Sequence, residues 1–317
     1  MTRTTLLPIL LFLLTVTALP AQQLSLFTQY RENATVINPA AVPSNFLAFG
    51  QNVSFGGSYR AQWVGFENAP TTQTVRGSYL HSKGAGVTFM AGGHVINDQT
   101  GPTGFTGFYG RIAGVVSPNP EESGFVVGLS AGGVNFRVDA SDIRLREQGD
   151  LLGTVNQSQF FPDVGVGLYY YRMVGRNDNM FYTGLSVPQV FGLDLTFQNE
   201  DGEYEVKRLQ HYYGMLGYYF FLDNGGFLEP SLWVKYTEGA PVNADFNLRY
   251  YLPVNFWIGA GGSSAGMVHL ETGVLLGDTV GFDQTISIGY GYSYSFSSFG
   301  PSVGGTHELN LGFDLFR

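Results

Sequence analysis

His269 and Glu271 stand two residues apart in "MVHLETGVLL", so in an extended chain both side chains leave the same face. An imidazole beside a carboxylate is the smallest set able to hold a metal ion or relay a proton. Four more charged residues occupy neighbouring stretches: Glu229 and Lys235 in "FLEPSLWVKY", Asp245 and Arg249 in "NADFNLRYYL". With carboxylates and cations in comparable number on alternating positions, the six read as a charge-paired network facing an interior rather than as catalytic groups. "GLSAG" at 128–132 fits the G-x-S-x-G pattern, but a nucleophile elbow needs a strand, a sharp turn and then a helix. Ser130 instead lies inside an alternating run with no helical pattern after it. "GAGGSSAG" at 259–266 lacks the lysine and the helix N-terminus of a phosphate loop. No nucleophile, base and orienting group assemble, so the expectation is a non-enzyme with no metal site and no cofactor.

The elements that must position these side chains show a period of two. Leu228, Pro230, Leu232, Val234 and Tyr236 alternate with Glu229, Ser231, Trp233 and Lys235. In "QTISIGYGYSYSF", isoleucine, tyrosine and phenylalanine alternate with serine and glycine, and "HELNLGFDLFR" repeats the pattern up to Phe316. Each run has roughly 10 residues, the length a tilted strand needs to cross hydrocarbon. Runs bounded by turn signals predict strands near 46–57, 71–81, 84–96, 103–116, 124–137, 160–172 and 179–188. The second half adds 208–221, 226–237, 243–252, 254–263, 267–277, 283–296 and 306–316. That makes about fourteen, an even number that lets a meander close without an edge. The fold class expected is therefore all-β, a transmembrane antiparallel β-barrel with periplasmic termini. No helical period is found beyond residue 21. A secreted β-sandwich is the alternative, but it has shorter strands, more charge and fewer tyrosines.

Composition agrees with a barrel. The 317 residues include 44 glycines, 19 tyrosines and 26 phenylalanines. Charged residues make up 13%, about half the share in soluble domains. Mean hydropathy is +0.03, as expected when one face of each strand is apolar and the other polar. The net charge of −9 and the lack of a basic run exclude nucleic acid as a partner. With no cysteine, thiol catalysis, disulfides and cysteine-held metals are excluded.

At the N-terminus, Arg3, the apolar run Leu6 to Leu14 and the small residues before Ala21 form a secretory signal peptide over 1–21. An uncleaved anchor is the alternative. No later run is long enough for a spanning helix. The expected organisation is signal peptide 1–21, a periplasmic or plug segment 22–45, and a barrel over 46–317. Connections near 138–158 and 189–207 read as extracellular loops. "YRAQWVGFENAP" at 59–70 lies between the first two strands and gathers Arg60, Gln62, Trp63, Phe66 and Pro70. It reads either as an anchor in the aromatic belt or as part of a partner-binding or plug-forming rim. Asn38 and Pro39 are candidates for the same partner-binding or plug role.

Ten segments in order along the chain, among them "FTQYRENATVINPAAV" at 27–42, "YRAQWVGFENAPTTQTV" at 59–75 and "KYTEGAPVNADFN" at 235–247, carry a resemblance. The chain resembles the PorP/SprF family of type IX secretion system outer-membrane proteins of the Bacteroidetes. The resemblance implies a fourteen-stranded barrel in the outer membrane of a Gram-negative cell. It also implies a non-enzymatic part in secretion or gliding motility: capturing, retaining or helping export a specific adhesin-like surface protein through its C-terminal secretion signal. Partners implied are that exported protein, periplasmic secretion components including a peptidoglycan-linked protein, and outer-membrane lipid. A FadL-like channel for hydrophobic small molecules is the second reading, to be recognised by an apolar pocket and a lateral opening. A scaffold tying the membrane to periplasmic machinery is the third.

Overall fold

The computed structural model of the protein describes residues 27–81, 88–139, 157–175, 177–192, 194–199, 202–277, 284–297 and 302–316. The signal peptide, most of the 138–158 connection and Arg317 lie outside these residues. Among the described residues, sixteen strands follow one another. The first seven are β1 (Val53–Ala61), β2 (Thr71–His81), β3 (Thr88–Thr100), β4 (Thr103–Val116), β5 (Ser123–Val138), β6 (Gln157–Val174) and β7 (Asn179–Val187). A separate hairpin, β8 (Asp194–Asn199) with β9 (Gly202–Lys207), interrupts the meander. Then come β10 (His211–Phe221), β11 (Phe227–Thr237), β12 (Asn243–Leu252), β13 (Phe256–Ser263), β14 (Met267–Leu276), β15 (Thr285–Ser295) and β16 (Thr306–Leu315).

All except β8 and β9 form one closed barrel of antiparallel neighbours. β7 pairs with β10 across the hairpin, and β1 closes on β16 from Val53↔Leu315 to Ala61↔His307. Closure gives each barrel strand a neighbour on both sides, as a span through hydrocarbon requires. The barrel has the inside-out polarity of a membrane protein. On β14, Leu270 is 64% exposed while its neighbour Glu271 is 3% exposed. On β12, Phe246 and Leu248 face outward while Asp245, Asn247 and Arg249 are buried. No helix among the described residues is long and apolar enough to cross a membrane.

Three expectations need correction. Residues 46–49 are not strand: Ser44–Phe49 is a helix ended by Gly50 in a left-handed conformation (φ 72°), and the first strand begins at Val53. A second short helix, Ala34–Ile37, lies upstream, so helix does occur beyond residue 21. Helices this short span hardly more than one turn and leave no readable period. The 189–207 connection also differs from a plain loop, because it contains the β8–β9 hairpin.

The chain from Phe27 to Leu47 runs inside the barrel, where Tyr30, Ala34, Ala40, Ala41 and Val42 are fully enclosed. Inward-facing glycines make the room. A Cβ at Gly289 would lie 2.3 Å from Gln29 Oε1, one at Gly128 2.5 Å from the Ala40 nitrogen, and one at Gly167 2.0 Å from Asn38 Oδ1. Replacing Gly289 with leucine is therefore expected to unseat the inner segment. Gly114→Leu, on the outer face with nothing within 4 Å, should leave it in place. Maleimide labelling of a single cysteine introduced at Thr28 checks this: fast labelling is expected with Gly289→Leu and slow labelling with Gly114→Leu.

Candidate functional site

The candidate site is the filled lumen and the rim above it, built where the inner segment meets the wall. Arg31 and Glu229 of β11 are each 1% exposed and form an ion pair at 2.6 Å. Tyr182 of β7 donates to the same carboxylate at 2.9 Å, Arg31 Nη2 donates to the Tyr219 hydroxyl at 2.8 Å, and the guanidinium lies over the Tyr182 ring. Tyr30 and Ser231 share a hydrogen bond at 2.6 Å. Next along the chain, Glu32 accepts from Arg249 Nη1 at 2.7 Å. Arg249 also grips Glu271 with two parallel bonds of 2.7 and 2.9 Å and lies over Trp257. A forked pair of this kind fixes geometry as well as charge.

The same segment is tied to other strands. Glu308 of β16 accepts the backbone N–H groups of Thr28 at 2.6 Å and Gln29 at 3.1 Å. Asn33 Oδ1 is shared by Ser58, Thr74 and Arg76 of β1 and β2. Arg111 of β4 donates to the carbonyls of Pro39 and Ala41, each at 2.9 Å. Asn38 closes an Asx turn through Oδ1 to the Ala40 N–H and donates through Nδ2 to the carbonyls of Leu168 and Leu185. The segment thus reaches strands on every side of the lumen.

The residues singled out from sequence fall into three places. Asn38 and Pro39 are buried in the inner segment. Glu229, Lys235, Asp245, Arg249, His269 and Glu271 all point inward, but they form separate pairings rather than one network. Lys235 pairs with Asp245, Arg249 with Glu271, and Glu229 with the inner segment's Arg31. His269 lies over Gly261 on the adjacent strand and does not join Glu271 in a metal-binding cluster. No group of three or more potential ligands occurs among the described residues.

Arg60, Gln62, Trp63, Phe66 and Pro70 lie at the mouth away from the C-terminal end of β16. Arg60 is buried, donates to Gln62 at 2.6 Å and stands 3.8 Å from Glu308. Trp63 takes a left-handed backbone (φ 54°), and Val64 N–H bonds the Gly305 carbonyl at 2.9 Å, laying the loop against the β15–β16 connection. Phe66 is exposed. Sequence reasoning missed Arg31, Asn33, Arg76, Arg111 and Glu308. Arg76, Arg111 and Glu308 are charges on strands, where the inward parity was the available signal, whereas Arg31 stands beside Glu32 in a stretch with no strand period.

A closed antiparallel sheet with an apolar belt outside and paired charges inside is an outer-membrane β-barrel. More narrowly, the chain belongs to the family described as type IX secretion system membrane protein PorP/SprF, which matches residues 19–313. That family is a secretion component of the outer membrane, not an enzyme family. No curated protein matches the chain significantly. Solved structures share the fold. The Pseudomonas putida toluene transporter TodX is 9% identical with TM-score 0.51, over 90% of this chain and 94% of that one. The Ralstonia pickettii toluene transporter TbuX is 13% identical with TM-score 0.50, over 90% and 94%.

Removing one partner of a buried ion pair strands the other, at a cost of about 3–5 kcal/mol. Glu229→Ala is expected to show a loss of that size in urea unfolding from lipid vesicles. Adding Arg31→Met should recover most of it, giving a large coupling energy in the double-mutant cycle.

Proposed function

We propose that the protein is a non-enzymatic part of the secretion machinery that captures, retains or helps export one surface protein through its C-terminal secretion signal. The observation that carries this reading is the filled lumen. With the inner segment bonded to strands on all sides, the barrel offers a partner its mouths rather than an open pore. The longer connections, 62–70, 188–210 and 296–305, follow the ends of their strands opposite the end where β16 finishes at Leu315. Barrels of this class carry their long loops outside the cell, so we assign this mouth to the cell surface and the C-terminal end of β16 to the periplasm. The Trp63 loop then belongs to the receiving rim, and the periplasmic mouth is left for machinery linked to peptidoglycan. Gliding adhesins are the kind of exported protein that the family resemblance favours.

A channel for hydrophobic small molecules is the competing reading. An apolar pocket does exist in the upper lumen. Below it, however, the inner segment and its ion pairs fill the path, so nothing favours passage over binding.

Affinity purification from native membranes in mild detergent, followed by mass spectrometry, tests the capture reading. One large exported protein is expected in stoichiometric yield, and recovery of lipid or periplasmic components alone would sink it. Trp63→Ala should reduce surface display of that protein several-fold, by antibody labelling of intact cells, while the barrel still assembles. Unchanged display would make Trp63 an interfacial anchor only.

A further inference from the structure

We propose that the exported partner is held by an extended peptide segment that adds to the free edge of β6 and drops one apolar side chain into the adjoining lumen pocket. This rests on the capture reading above and names the place and chemistry of the contact.

The edge comes first. β6 pairs with β5 along its whole length, from Gln157↔Val138 to Arg172↔Ser123. On its other side it pairs with β7 only from Val166 onward, because β7 ends at Val187 and Pro188 follows. Among the described residues, 157–163 therefore have no partner strand on this side, while at Val164 the carbonyl accepts the Val190 N–H at 2.8 Å and the N–H bonds Asp163 Oδ1 at 2.9 Å. Pro162 sits within this stretch, at the kind of position where a missing N–H costs a strand nothing. A tilted strand crosses hydrocarbon in about ten residues. Counted from Val174, that reaches Gly165, so the free edge stands clear of the membrane core. A row of strand amides and carbonyls at that height is matched by another extended backbone, not by a lipid tail.

The pocket lies beside this edge. Its floor is Ile37 of the inner segment, and Ile96, Phe105, Tyr213 and Trp233 form the wall, with Pro188 and Gln189 at the end of β7. Its cavity volume is about 50 Å³. Gln189 Oε1 and Trp233 Nε1 are buried on this lining without a hydrogen-bond partner among the described residues. An acceptor and a donor placed around an apolar cup suit a peptide group that carries an apolar side chain. Asp163 and Arg208 pair at 2.9 Å beside this edge, and the Arg208 guanidinium lies over the Phe161 ring.

The test uses the full-length protein in mild detergent. The probe is the C-terminal domain of the exported protein identified by co-purification, produced alone and titrated by fluorescence anisotropy. Ile96→Trp fills the pocket and is expected to weaken binding at least tenfold, with heat-modifiable migration of the barrel unchanged. Gln189→Trp, in a connection rather than a strand, serves as the second variant should the first not fold. Because the chain has no cysteine of its own, benzophenone-maleimide placed on Gln189→Cys should cross-link the domain, and the same label on outward-facing Val75→Cys should not. Full-affinity binding to both filled variants, or binding without a cross-link from position 189, overturns the proposal and leaves capture at the rim intact. Failure of the wild-type protein to bind the domain defeats the capture reading together with this one.

Discussion

Charge turned inward is what the rest of this structure answers to. In hydrocarbon a sheet must close, and closing puts one face of every strand toward lipid and the other toward the lumen. The polar half of each alternating run, including Glu229, Arg249, Glu271 and Glu308, is thereby committed to an enclosed space. Buried charges without partners are costly. The inner segment supplies the missing partners with Arg31, Glu32 and the backbone N–H groups of Thr28 and Gln29. The wall and the plug are thus two halves of one electrostatic unit.

That unit sets the composition. A chain threaded through a fourteen-stranded lumen must pass within contact distance of the wall's backbone, and glycine at the contact points is what allows it. Gly167 and Gly184 form the floor beneath Asn38, while Gly289 and Gly291 face Gln29 and Thr28. The high glycine count follows in part from packing the inner segment. The apolar residues on the outer face of the same strands follow from lipid. One strand therefore reads as alternating aromatic and glycine, as in "GYGYSYS", because its two faces answer to two different solvents.

Much of this was legible in the sequence, for a physical reason. Lipid on one side and a polar lumen on the other give period two a strong amplitude, so the bounds expected for 71–81, 103–116 and 243–252 coincide with β2, β4 and β12. Inward parity placed His269, Glu271, Asp245 and Arg249 on the correct face. What parity does not carry is partnership between distant segments. Arg31 and Glu229 are ion-paired across nearly 200 positions (|i−j| = 198), and nothing local to either residue announces the other. The same limit hid the start of β1. Residues 46–49 extend the apolar run expected to open the first strand, yet they belong to a helix held by contacts distant in sequence. Asn45 reaches Asp314 at 2.5 Å and Phe46 packs edge-on against Tyr171.

The strand lengths give the barrel a direction. β13 and β7 are near the minimum that crosses hydrocarbon, whereas β5 and β6 run to sixteen and eighteen residues. All the surplus stands on the side of the long connections, since the other ends of β5 and β6 meet at Ser123↔Arg172 beside a short turn. A taller wall on one side of a mouth, next to a neighbour that stops early at Pro188, makes a step. The inner segment closes the barrel beneath that step and Phe27 and Ile37 form part of its base. The ion pairs that seat the inner segment, Arg31 with Glu229 and Glu32 with Arg249, hold that base in place.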